Sequence, residues 1–91
     1  MAQVIVTMKI MPTSPETDLG ALEEKASKLI NEFGGEIGKS EQEPIAFGLK
    51  SLKLMFVMNE DLGSTESLEN DVGQIEGVNS VEVIDVRRAV G

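Results

Sequence analysis

The sequence predicts an α+β fold: a ferredoxin-like βαββαβ sandwich whose four-stranded antiparallel sheet, ordered 4-1-3-2, carries two helices on one face. Three observations predict it. Apolar residues alternate with period two near the start of the chain and again in its middle, as in half-buried strands, and a β-branched run returns near its end. Two intervening stretches carry apolar residues at three- and four-residue steps, as in amphipathic helices. The resulting order of strand, helix, strand, strand, helix, strand is the split βαβ pattern, and right-handed crossovers fix its winding.

In residues 3–11, Val4, Val6, Met8 and Ile10 occupy alternate positions in a β-branched run, which predicts the first strand, and Pro12 closes it. Ser14-Pro15-Glu16 then reads as a helix start, with a capping hydroxyl, a proline at the first helical position and an acid at the positive end of the dipole. Leu19, Leu22, Ala26, Leu29, Ile30 and Phe33 share one face of a helix over residues 15–33, which Gly34-Gly35 ends. Residues 36–47 are polar in the middle, as in a strand at a sheet edge that keeps charge to discourage further pairing.

Residues 49–58 alternate Leu52, Leu54, Phe56 and Met58 with Ser51, Lys53, Met55 and Val57 and predict a central strand. Asn59-Glu60-Asp61 is a polar turn. Gly63-Ser64 caps a short second helix with Leu68, Val72 and Ile75 on one face, and Glu76-Gly77 stops it. Residues 78–86 form the last strand, followed by Arg87-Arg88 and a short frayed tail. With 91 residues, the chain is expected to be one domain over 1–91.

This winding has a functional consequence. The turn around Phe47-Gly48 and the pair Arg87-Arg88 fall at opposite ends of the sheet, roughly 30 Å apart for strands of about ten residues. One small pocket cannot contain both.

Composition removes several classes of function. The chain has no Cys and no His, which excludes disulfides, thiolate metal sites and thiol or imidazole catalysis. No nucleotide-binding glycine fingerprint or nucleophile elbow is present. Glu41 and Glu43 could form an acid/base pair or ligate a hard cation, but at i and i+2 in a polar edge segment they read better as solvated charge. No enzyme, cofactor or metal is therefore expected.

Sixteen acidic against eight basic residues give a formal charge of -8, which repels phosphate backbones and anionic lipid. An RNA-recognition module would need stacking aromatics, whereas the chain has three Phe and neither Trp nor Tyr. No nucleic acid and no membrane partner is expected, and the absence of a signal-like N-terminus leaves the cytoplasm as the expected compartment. The five Met read as core filler.

One segment stands out, Glu43-Pro44-Ile45-Ala46-Phe47-Gly48-Leu49-Lys50, with a large aromatic beside a glycine at a predicted turn. Such an aromatic either plugs a core or stands out as a binding anchor. Arg87 and Arg88 either solvate a terminus or contact phosphate or carboxylate, and strand geometry lets only one of them point to each side.

These residues carry a resemblance. The runs Val6-Thr7-Met8-Lys9-Ile10-Met11-Pro12, Glu43-Pro44-Ile45-Ala46-Phe47-Gly48-Leu49, Ile75-Glu76-Gly77-Val78 and Val83-Ile84-Asp85-Val86-Arg87-Arg88 resemble the archaeal elongation factor 1-beta proteins, which are similar to the C-terminal exchange domain of the eukaryotic factor. The resemblance covers nearly the whole chain. It implies a guanine nucleotide exchange factor that promotes GDP release from the GTPase elongation factor 1-alpha, acting without covalent catalysis and as a monomer.

It further implies that Phe47, supported by Pro44, Ile45 and Gly48, docks on the second domain of that GTPase. The opposite end then approaches the magnesium and phosphates. The eukaryotic factors insert a lysine there, next to last in their chains; this sequence reads Arg88-Ala89-Val90-Gly91, so Arg87 or Arg88 is expected to supply the charge. The runner-up is an amino-acid-binding regulatory domain of the same topology, which would hold its ligand at a dimer interface.

Overall fold

The computed structural model describes residues 2–89. Its elements are β1 (Gln3–Pro12), α1 (Leu19–Phe33), β2 (Glu36–Pro44), β3 (Lys50–Asn59), α2 (Glu66–Gly73) and β4 (Val78–Arg88), with a tight turn at Ala46–Gly48 and a single 3₁₀ turn at Glu60–Leu62. The sheet order is β2-β3-β1-β4, with every neighbouring pair antiparallel. This is the predicted order read from the other edge.

The period-two pattern decides which face of the sheet is buried. Val6, Met8 and Ile10 of β1 stand opposite Phe56, Leu54 and Leu52 of β3, so one row of side chains from each strand shares the same face. That face meets Leu22, Ala26 and Ile30 of α1 and Leu68 and Val72 of α2, and all of these side chains are buried. The other face carries Ile5, Thr7 and Lys9 beside Val57, Met55 and Lys53 and has no helix over it.

α1 begins four residues later than the Ser14-Pro15 signal predicts. Ser14 is used in a local turn, where its hydroxyl accepts the Glu16 N–H at 3.2 Å and its carbonyl accepts the Thr17 N–H at 3.2 Å. Asp18 caps the helix instead, its Oδ1 accepting the Ala21 N–H at 3.2 Å. The apolar periodicity itself starts at Leu19, so a longer helix would order residues that have nothing to bury. At the other end Gly34 takes φ 112°, a conformation that suits glycine, and its N–H returns to the Ile30 carbonyl.

The remaining boundaries shift for equally local reasons. β2 stops at Pro44 rather than Phe47, because proline offers no N–H to continue the ladder. α2 starts at Glu66, after a 3₁₀ turn that Asn59 caps by accepting the Asp61 N–H, and ends at Gly73. Ile75 therefore lies beyond the helix, although it still packs against the core.

β4 runs on through Arg88 because β1 begins early enough to pair with it: Arg88 faces Val4, Arg87 faces Ile5, and the Ala89 N–H reaches the Gln3 carbonyl at 2.8 Å. Of the tail expected past Arg88, Val90 and Gly91 lie outside the described residues. A register shift opposite Thr7 and Met8 leaves Ile84 as an extra residue in β4, a bulge that disfavours further pairing at this edge.

At the β2 edge, Lys53 Nζ bonds Glu43 Oε2 at 2.6 Å, and Lys39 bonds Glu41 at 2.9 Å. The bond to Lys53 lowers the Glu43 pKa below its ordinary value of 4.5, and the same bond raises that of Lys53 above 10.5. A carboxylate with a lowered folded-state pKa contributes stability above its unfolded pKa and loses it as pH falls through the folded value. A raised lysine contributes below its unfolded pKa and loses this as pH rises through the folded one. The pair therefore persists through the neutral range.

Two outcomes follow. Phe56→Ala is expected to cost about 3–5 kcal/mol in urea denaturation, out of the 5–15 kcal/mol or so typical of a domain; a loss below about 1 kcal/mol would contradict its place in the core. Lys53→Met should move the Glu43 carboxyl titration, followed by NMR, upward toward the ordinary value. An unmoved midpoint would mean that the bond does not persist in solution.

Candidate functional site

The connection from β2 to β3 is built to expose an aromatic. Phe47 is 94% exposed, which rejects the core-plug reading of this residue, and Ile45 beside it is also exposed. Pro44 ends the ladder one residue earlier, opposite Lys50. The Ile45 N–H reaches the Leu49 carbonyl at 2.8 Å and the Leu49 N–H reaches the Ala46 carbonyl at 3.1 Å, so the backbone of the turn is internally bonded.

Phe47 has φ 60° and ψ 33°, and Gly48 has φ 78°. Positive φ at both central positions, with a bond from the fourth residue back to the first, is what a type I′ turn requires. Asn-Gly is the favoured pair for such a turn, because asparagine tolerates the left-handed region. Phe47 is the only residue other than glycine with positive φ among those described. A phenylalanine there costs about 1–2 kcal/mol in backbone strain, and an exposed ring recovers little of that by burial. Strain held at an exposed aromatic is a pointer to function, since neither local propensity nor packing accounts for it.

Arg87 and Arg88 stand at the other end of the sheet, beside the start of β1 and the end of β3. They point to opposite sides, as strand alternation predicts: Arg87 lies on the helix-free face with Ile5, and Arg88 lies on the helix side with Val4. Each is tied to a carboxylate. Arg87 Nε bonds Asp85 at 2.9 Å, and Arg88 Nη2 bonds both carboxylate oxygens of Glu60, at 3.0 and 3.2 Å. All four side chains are substantially exposed, so these pairs are weak and exchangeable.

The six predicted site residues therefore form two groups. Pro44, Ile45, Phe47 and Gly48 come together in one turn, and Arg87 and Arg88 lie at the far end of a molecule 42 Å long. Sequence reasoning missed a third feature: a cleft of about 320 Å³ on the helix side of the turn, between it and the β1–α1 loop. Pro12, Pro15, Gln42, Gly48 and Lys50 are among its walls. The signal available was the late start of α1, which leaves Ser14 to Asp18 as a loop. Among the described residues there is no cluster of three or more groups that could hold a metal ion, and no helix long and apolar enough to cross a membrane.

The chain is similar to known proteins. The EF-1 guanine nucleotide exchange domain matches residues 5–89. Elongation factor 1-beta of Methanothermobacter thermautotrophicus is 47% identical over 88 residues, covering 97% of this chain and 98% of the relative. That of Staphylothermus marinus is 48% identical over 89 residues, covering 97% and 98%. Among solved structures, the ACT domain from GTP pyrophosphokinase of Chlorobium tepidum superposes with a TM-score of 0.61 at 17% identity, covering 90% of this chain and 99% of that one. The C-terminal domain of the MgtC protein from Mycobacterium tuberculosis does so with 0.64 at 12%, covering 97% and 88%. These two likenesses bear on the fold alone. The sequence relationships bear on more: the chain belongs to the elongation factor 1 guanine nucleotide exchange family, whose role in translation elongation is nucleotide exchange on a GTPase.

Proposed function

We propose that this protein speeds GDP release from elongation factor 1-alpha by bridging two parts of that GTPase, docking through Phe47 and acting on the nucleotide site through the arginine end. The observation that supports this reading most is the exposed, conformationally strained Phe47. A rigid turn that presents a large aromatic at the tip of a domain has the features of an interface hot spot: high apolar area and little entropy left to lose on binding. Pro44 and Ile45 border the ring in the chain, and Gly48 permits the turn.

Exchange requires no bond making. A partner accelerates GDP loss when it binds the nucleotide-free GTPase more tightly than the loaded one. A differential of about 4 kcal/mol, fully expressed in the release rate, is worth roughly a thousandfold. A guanidinium brought near the magnesium and phosphates would oppose the ion electrostatically and compete for its phosphate contacts. Arg87 suits this role better than Arg88, because its bond to Asp85 engages only Nε, whereas Arg88 is held by both oxygens of Glu60. One copy of the chain is sufficient for this bridging, and the cytoplasm, where translation occurs, is the setting.

The test is release of a fluorescent GDP from elongation factor 1-alpha, titrated with the protein. Wild type should accelerate release. Phe47→Ala should raise the half-saturating concentration roughly 30-fold or more, the loss of about 2 kcal/mol typical of a hot spot. A titration that overlays wild type would remove Phe47 from the interface, and no acceleration by wild type at saturation would remove the function.

The strain at Phe47 makes a second outcome specific. Phe47→Asn should weaken exchange as much as Phe47→Ala while stabilising the free protein by about 0.5–1 kcal/mol, seen as a Tm higher by roughly 3–6 °C. A lowered Tm would show that the ring contributes to the fold after all.

A further inference from the structure

The cleft beside Phe47 lies on the helix side of the sheet, where Lys50 and Gln42 project from the ends of β3 and β2. Its opposite wall is the β1–α1 loop, with Pro15 about 3.8 Å from where a side chain on Gly48 would begin. Lys50 is exposed and makes no ion pair among the described residues. Of the other cations in the sheet, Lys39, Lys53, Arg87 and Arg88 are each bonded to a carboxylate of the same chain, and Lys9, which also makes no ion pair among the described residues, lies on the helix-free face opposite Lys53. Asp18 also lines the cleft, its Oδ1 accepting the Ala21 N–H at the start of α1, and it makes no ion pair with Lys50 among the described residues.

The charge of the chain makes this lysine more conspicuous. Between residues 60 and 86 all eight charged side chains are acidic: Glu60, Asp61, Glu66, Glu69, Asp71, Glu76, Glu82 and Asp85. That surplus sits on α2, β4 and their connections, whereas the β2–β3 half holds Glu36, Glu41 and Glu43 against Lys39, Lys50 and Lys53. With the two carboxylates nearest the turn in β2, Glu41 and Glu43, already bonded to Lys39 and Lys53, Lys50 stands without an ion pair next to the exposed ring, across the cleft from Asp18. A cation of this kind, on the wall of a cleft adjoining a binding anchor, is placed to choose among partners by charge.

Resting on the reading that Phe47 docks on the GTPase, we propose that the cleft is the second half of the docking end, and that Lys50 takes a carboxylate side chain of the GTPase there while the ring fills an apolar socket. A carboxylate fits better than a nucleic-acid phosphate, because the net charge of -8 repels a polyanion while a single lysine suits a single acid. Phe47 then supplies most of the docking energy, and Lys50 supplies orientation and discrimination. The cleft, at about 320 Å³, is large enough for an acidic side chain.

The experiment is the same GDP-release titration with wild type, Lys50→Arg, Lys50→Gln and Lys50→Glu. All three substitutions are at an exposed position, and circular dichroism will confirm that each variant is folded. Lys50→Arg is expected to behave as wild type. Lys50→Glu should raise the half-saturating concentration about tenfold or more while leaving the release rate at saturation unchanged. Lys50→Gln should fall between these and lose much of the wild-type sensitivity to ionic strength.

If the Lys50→Glu titration overlays wild type, or only its saturating rate falls, Lys50 does not dock a carboxylate and the inference is wrong. Wild type reports separately on the function: activity in wild type with no effect at Lys50 overturns the cleft alone, whereas an inactive wild type overturns the exchange reading itself.

Discussion

The pairing of β1 with β3 is the constraint from which the functional geometry follows. Their register sets Val6, Met8 and Ile10 against Phe56, Leu54 and Leu52 and puts all six on the face that the helices cover. A slip of β1 by one residue against β3 would turn Val6, Met8 and Ile10 into solvent and bring Thr7 and Lys9 under α1 and α2, which burial energetics forbids. Once that register is fixed, β2 must lie outside β3 and β4 outside β1. The β2–β3 turn then emerges at one end of the sheet and the last residues of β4 at the other. The two-ended character of the molecule is thus a consequence of core burial.

That separation suits an exchange factor. Because no single pocket unites Phe47 with the arginines, the protein cannot act by enclosing a small ligand between them. It can act as a strut, with rigidity supplied by three antiparallel pairings and with contact groups at its tips. Each tip is stiffened in its own way: the turn by two backbone bonds across Ile45 to Leu49, the arginine end by Ala89 pairing with Gln3. A strut transmits differential binding only if its ends do not yield, which is why the turn chemistry matters beyond the ring it displays.

The sequence alone was enough to read the sheet order, both helices and the opposition of the two ends, because these rest on hydrophobic periodicity, which survives in a single chain. The boundaries that shifted depend on competition between neighbouring local signals. Ser14-Pro15-Glu16 and Asp18 are both acceptable helix starts, and the choice of Asp18 follows from where burial begins, at Leu19. The extension of β4 through Arg88 depends on β1 starting at Gln3, a pairing between distant segments that no local pattern encodes. At the site, the sequence singled out Phe47 but left open whether it was core or anchor. The answer came from a backbone angle and a solvent exposure, and the cleft beside it came from a loop the sequence had read as helix.

Phe47 is where the backbone preference of the turn and the residue present disagree. At the first central position of a type I′ turn, asparagine or glycine satisfies the backbone and phenylalanine does not. Elsewhere the choices agree with the fold: glycine at the end of α1, β-branched residues in β1 and β4, and an acid at the start of α1. When one position departs from a chain that is otherwise locally consistent, and the departing side chain is exposed, the folded monomer gives no reason for it. The docking proposed for Phe47 supplies such a reason: a partner surface that buries the ring would offset the strain. The same reasoning sets Lys50 apart from Lys39, Glu41, Glu43 and Lys53: those bonded pairs account for themselves within the fold, whereas Lys50, beside a strained, exposed aromatic, has no ion pair to account for it.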